Sequence, residues 1–113
     1  MTNFKIFAVT VAATFISLSA AQAGDAEKGK ATFIHKGCYE CHGFEGQGGS
    51  AGLRLSNTQL PEDGLIAFVR GTSGAMPPFS SKIISDAELS DIYAYLQSRP
   101  KPADPKSIPL LAN

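Results

Sequence analysis

Cys38-Tyr39-Glu40-Cys41-His42 is the stretch on which the reading of this chain turns. It holds both cysteines of the 113-residue sequence, three positions apart, with one of the two histidines directly after the second. Two cysteines that close together make no disulfide framework and act as a local pair. C-x-x-C-H is the haem c attachment pattern, in which two thiols add to the haem vinyl groups and the adjoining imidazole binds iron. The spacing has a physical basis: two intervening residues match the separation of the vinyls along one haem edge, and an adjacent His is tethered within reach of the metal. Three other readings compete. A thioredoxin-like redox pair needs a βαβ sheet, and no window has the alternation of a long strand. A structural zinc site wants four ligands, and His35 is the only other Cys or His. A simple disulfide leaves the adjacent His unexplained.

Working outward, Asp25 is placed to cap a helix over Ala26–His35, with Glu27 in its first turn and Gly37 as a left-handed stop. After the motif, five of the ten residues from Gly43 to Gly52 are glycine, a density that lets the chain lie against a flat surface. Taken alone, the same stretch reads as a flexible loop. Leu60-Pro61-Glu62 begins a second helix of about ten residues, with Leu65, Phe68 and Val69 on one face and Gly71 at its end. Ser85 and Glu88 form a capping box, and Leu89, Ile92, Tyr93 and Leu96 follow at helical spacing in a helix ending near Ser98. Pro100, Pro102, Pro105 and Pro109 then favour an extended tail over residues 100–113. The fold class is all-α, three to four helices with long loops.

The N-terminus reads as an address. Met1–Lys5 carries one Lys, Ile6–Ala20 has no charged residue, and Ala21-Gln22-Ala23 offers the small residues of a cleavage site. Residues 1–23 are expected to be a cleaved signal peptide, leaving a mature chain from Gly24. The alternative, a membrane anchor, falls short of the ~20 apolar residues that span a bilayer. Ten basic and ten acidic residues give zero net charge, and no basic run is present, so nothing supports nucleic-acid binding. A mature domain this small often needs a staple, and without Trp or a disulfide set a cofactor is the expected core filler.

Iron in a haem plane has two axial positions, and outside the signal the only Met is Met76. It precedes Pro77-Pro78, which push its backbone out of the helical region and stiffen the loop that would hold its thioether. The plainer role for a lone Met is filling a core gap. His35, one turn before the cysteines, is the alternative axial ligand.

These residues resemble the class I c-type cytochromes, over roughly Gly24–Arg99. Gly29 and Phe33 in the first helix, Cys38, Cys41 and His42, Met76 before Pro77, and Tyr93–Leu96 in the last helix carry the resemblance. It implies a small cytochrome c fold around one covalent haem, occupying residues 24–99, with the first and last helices crossing beside the haem. Gly29 would permit close approach there, with Phe33 and Tyr95 packed at the crossing. One departure stands out: the family commonly has a Gly-Pro step whose carbonyl accepts the axial imidazole's proton, and here the chain reads Ser50-Ala51-Gly52-Leu53-Arg54-Leu55. The partner of His42 is thus unassigned on sequence. Arg54 is either a haem-propionate partner or a solvated surface residue.

The expected function is one-electron transfer, not catalysis, since His42 and Met76 together leave the iron no open position for a small-molecule substrate. The cofactor is one haem c. Its expected setting is the periplasm, with no membrane span in the mature chain. The expected partners are redox proteins: a periplasmic dehydrogenase as donor, and an oxidase or another cytochrome as acceptor. Residues Leu60–Phe79 look similar to the small cytochrome subunits of such dehydrogenases. The alternatives are a tightly bound cytochrome subunit of a flavin- or quinone-dependent dehydrogenase, and a gas-binding haem protein if Met76 is off the iron.

Overall fold

The computed structural model describes residues 23–111, so the expected signal segment, apart from Ala23, lies outside the described residues. Four α-helices follow in order: α1 (Ala26–His35), α2 (Cys38–His42), α3 (Glu62–Gly71) and α4 (Asp86–Gln97). Among the described residues there is no strand. The helix starts follow from side-chain chemistry. The Asp25 carboxylate accepts the N–H groups of Glu27 and Lys28 at 3.0 and 3.1 Å, satisfying two donors that the first turn of α1 leaves free. At α4 the Ser85 hydroxyl accepts from the Glu88 N–H while the Glu88 carboxylate accepts from the Ser85 N–H at 2.7 Å. The Ser85 N–H, and the Ser85 hydroxyl that also donates to the carboxylate at 3.0 Å, hold the Glu88 carboxyl below its usual range.

The dominant packing is α1 across α4. Gly29 makes it possible: a Cβ there would lie 1.9 Å from the Asp91 carbonyl oxygen, so the two backbones approach where only hydrogen fits. One turn on, Phe33 (1% exposed) tilts against Tyr95 (1% exposed), with ring centroids 5.7 Å apart. Leu89, Ile92 and Leu96 of α4, Leu65 of α3 and Ile84 complete the core. The helix α3 is tied to α4 at both ends, by a Ser90 hydroxyl bond to the Glu62 carboxylate and by an Arg70–Asp86 ion pair.

Two features depart from the sequence reading. Phe68 is 56% exposed although it follows the Leu65–Val69 stripe, because the face it occupies on α3 has no polypeptide packed over it. The tail is interrupted by a 3₁₀ turn at Pro105–Ser107, since Pro105 has the φ of a first helical residue and the Asp104 carboxylate caps the Lys106 N–H.

Candidate functional site

The C-x-x-C-H stretch is itself one helical turn, α2, bounded by two glycines of positive φ, Gly37 (φ +76°) and Gly43 (φ +77°). Helical geometry brings positions i, i+3 and i+4 to one face, so the turn gathers Cys38, Cys41 and His42 on one side. Both thiols are free. Cys38 packs against the core and its burial pushes the thiol pKa up, whereas Cys41 is exposed.

His42 is held from behind. Its Nδ1 lies 2.7 Å from the carbonyl oxygen of Leu53, which as an acceptor makes Nδ1 the protonated nitrogen. Nε2 has no hydrogen-bond partner among the described residues and is left as a lone-pair donor. This supplies the imidazole partner that the sequence left unassigned: a loop carbonyl does the work, with Leu53 standing where a Pro was sought. Gly52 permits it, because a Cβ at that position would fall 2.7 Å from the Cys41 carbonyl oxygen and 2.9 Å from His42 Nδ1. The signal for this contact was Gly52-Leu53 at the place of the family's Gly-Pro step, where the missing Pro left the carbonyl unassigned.

The glycine loop is ordered by its own hydrogen bonds. Gly48 N–H donates to the His42 carbonyl at 2.8 Å, Gly49 N–H to the Gly52 carbonyl at 3.0 Å, and Leu55 and Ser56 N–H both to the Gly46 carbonyl. Gly43, Gly46 and Gly48 have positive φ, so the glycines serve turn geometry as well as close approach. Tyr39 stacks on Phe44 at 4.6 Å between ring centroids, and the Tyr95 hydroxyl donates to the Phe44 carbonyl at 2.8 Å.

Met76 is half-buried on the loop between α3 and α4 and stands outside the core cluster and the apolar residues packed on it. The gap-filling role is therefore not the one it plays. Its loop is fastened beyond the Pro pair, where the Phe79 N–H donates to the Val69 carbonyl and the Arg70 guanidinium to the Phe79 carbonyl, both at 2.9 Å. No hydrogen bond or core contact joins Met76 to His42; the two lie on separate segments. His35 is exposed at the end of α1, and no cluster of three or more His, Cys, Asp or Glu that could hold a metal ion occurs among the described residues. Arg54 donates through Nε to the Ser56 carbonyl at 3.2 Å and forms no ion pair among the described residues.

The donor set fits haem c. Paired free thiols lie on the face that carries an imidazole with a fixed tautomer and a free Nε2, and a thioether is unused by the core. Apolar Leu53 (82% exposed) adjoins His42 with no protein covering it. A flat apolar macrocycle is the kind of group such a surface takes.

Comparison with known proteins gives one match. The family model described as cytochrome C oxidase, cbb3-type, subunit III matches residues 24–96. No curated protein and no solved structure matches. No helix among the described residues is long and apolar enough to cross a membrane.

Proposed function

The chain belongs to the family described as cytochrome c oxidase, cbb3-type, subunit III, and from that premise we propose that it is a periplasmic one-electron carrier with one haem c held by Cys38, Cys41, His42 and Met76. Membership makes it a class I c-type cytochrome, a haem-c-binding electron-transfer protein and not an enzyme. When bound, haem c supplies a one-electron Fe(III)/Fe(II) couple. Cys38 and Cys41 anchor the group by thioether bonds from the face that also presents His42. The Leu53 carbonyl keeps His42 in the tautomer that offers Nε2 and raises its donor strength by holding the Nδ1 proton. Met76 offers a soft donor that favours the reduced state, on a loop whose φ angles Pro77 and Pro78 fix. With His42 and Met76 both as donors to the iron, no position would be left open for substrate.

The observation that carries this reading is the 2.7 Å contact from His42 Nδ1 to the Leu53 carbonyl, which holds the imidazole from the same turn as both thiols. Acid–acetone extraction tests the attachment: haem stays with the polypeptide in the native chain and leaves it when Cys38 and Cys41 are both replaced by Ser. Carbon monoxide tests the axial pair, since the reduced protein should resist it at neutral pH. Rapid binding by the unmutated protein would remove Met76 from the site and move the function toward gas binding.

For partners we propose a periplasmic dehydrogenase as donor and an oxidase or another cytochrome as acceptor. The family description names an oxidase subunit, which favours the oxidase as acceptor. Residence as a fixed subunit of a dehydrogenase is the second reading, favoured by Leu110 (90% exposed) and Leu111 (61% exposed) at the end of the tail. Size-exclusion of native periplasm separates the two: a carrier elutes near its own mass, a subunit with its enzyme.

A further inference from the structure

The carbonyl that holds His42 belongs to a residue with no anchor of its own. The Leu53 side chain is 82% exposed, so packing does not locate its backbone, and the carbonyl's position depends on how the loop is fastened on either side. Upstream the fastenings are the Gly48 bond to the His42 carbonyl and the Gly49 bond to the Gly52 carbonyl. Downstream, Leu55 and Ser56 return to the Gly46 carbonyl, and the chain then enters Asn57. Among the described residues, Asn57 is the only non-glycine with positive φ (+56°). That conformation turns its N–H onto the Leu96 carbonyl at 3.0 Å, and its side-chain amide donates to the Arg99 carbonyl at 2.7 Å. Both acceptors lie at the C-terminal end of α4, where a helix leaves carbonyls without partners. Gln97 adds a third link, from its amide to the Thr58 carbonyl at 2.8 Å. The other end of the same loop is also bound to α4, through the Tyr95 hydroxyl on the Phe44 carbonyl and the Arg99–Glu45 ion pair.

We propose that Asn57 is a positioning residue for His42: by locking the loop's exit onto the end of α4, it fixes the Leu53 carbonyl that orients the imidazole and sets its donor strength. The proposal rests on the reading of His42 as an iron ligand. It couples the end of α4 to the electronic character of that ligand through the Leu53 carbonyl, with no hydrogen bond between Asn57 and His42 themselves. A plain structural role, capping α4 and nothing more, would change stability alone.

The test uses the full holoprotein, labelled with nitrogen-15, and follows solvent exchange of the His42 Nδ1 proton. Asn57→Gly keeps the left-handed backbone and the N–H bond to Leu96 while deleting the amide bond to Arg99, so the chain still folds. Ser85→Ala, which removes the cap at the opposite end of α4, is the matched control for stability. Exchange at His42 should quicken at least tenfold in Asn57→Gly relative to the α1 amides, and not in Ser85→Ala. The reduction potential should rise in Asn57→Gly alone, because a weakened Nδ1–H bond to the carbonyl makes a poorer donor to the oxidised metal. Asn57→Ala, which also strains the backbone, should exceed Asn57→Gly in both readouts. If Asn57→Gly moves the His42 proton and the potential no more than Ser85→Ala does, Asn57 is only a cap and the proposal is overturned. A wild-type spectrum with no protected Nδ1 proton would overturn the ligand reading of His42 and the proposal with it, before any variant is compared.

Discussion

Replacing Gly52 by Ala tests the support of His42 at its tightest point. The added methyl would sit 2.7 Å from the Cys41 carbonyl oxygen and 2.9 Å from both the Cys41 carbonyl carbon and His42 Nδ1, against backbone and ring atoms that cannot swing aside. Ordinary contact begins near 3.4 Å, so the loop must withdraw by about 0.7 Å. Leu53 is the next residue and moves with it. Its carbonyl, now 2.7 Å from Nδ1, would end about 3.4 Å away, beyond good hydrogen-bond range. The lost bond costs about 1 kcal/mol net and the overpacking about 1–3 kcal/mol. Restricting the unfolded chain returns about 0.4–1 kcal/mol. The balance is a loss of about 2 kcal/mol, or roughly 8–16 °C in melting temperature for a domain of this size. The assay is paired: urea denaturation of the holoprotein followed by Soret absorbance, and a redox titration in which the potential should rise as His42 loses its proton acceptor. Gly49→Ala is the control from the same loop, because its methyl would meet nothing closer than 3.5 Å, and it should stay within about 0.5 kcal/mol of wild type. Equal stability and equal potential in both variants would refute the claim that Gly52 exists to admit the Leu53 carbonyl.

Three further outcomes are expected. Met76→Ala should keep the covalent haem, lower the reduction potential and admit carbon monoxide to the reduced protein, as absorbance spectra of that variant would show. Gly29→Ala places a methyl 1.9 Å from the Asp91 carbonyl oxygen; the forced separation of α1 from α4, about 3 kcal/mol, should outweigh the helix-propensity gain of about 1 kcal/mol and cost about 2 kcal/mol net by urea titration. Ser85→Ala should cost about 1 kcal/mol and soften the acid limb of the stability profile: a depressed Glu88 pKa contributes stability above the ordinary glutamate range that is lost as pH falls through the folded value, and the variant keeps the larger part of that contribution, from the Ser85 N–H, while giving up the part the Ser85 hydroxyl donates to the carboxylate.

The parts of the fold that were legible beforehand are those written in side chains. Asp25, Ser85 and Glu88 announce the helix starts because capping is done by their own oxygens; the crossing at Gly29 and Phe33 came from the family resemblance, to which the residues add only that an interior glycine costs stability unless a neighbour needs the space. The thiols and imidazole of α2 were equally legible, being chemistry at fixed spacing. What escaped notice is done by backbone. A carbonyl has the same identity at every position, so nothing in the name Leu53 says that its oxygen faces His42, and Asn57 reveals its left-handed turn only once the end of α4 is beside it. Phe68 misled for a related reason: periodicity tells which residues share a stripe, and cannot tell that no polypeptide covers part of that stripe.

The two axial candidates are tethered unequally, and that inequality bears on how the site would open. Behind His42, the loop from Gly43 to Thr58 is closed on itself through the Gly46 carbonyl and bound at both ends to α4. Around Met76, no hydrogen bond is made between Thr72 and Pro78 among the described residues; restraint comes from the proline rings and from the Phe79 anchorage beyond them. Prolines limit the conformations available to a segment without binding it to the rest of the protein. A loop held in that way can leave as a unit at little cost in hydrogen bonds, whereas release of His42 would break the Leu53 contact inside a segment fixed at several points. If Met76 and His42 hold iron as proposed, the thioether side is where a ligand would be exchanged under stress, and the imidazole side is where the electronic character of the site would be held constant while that happens.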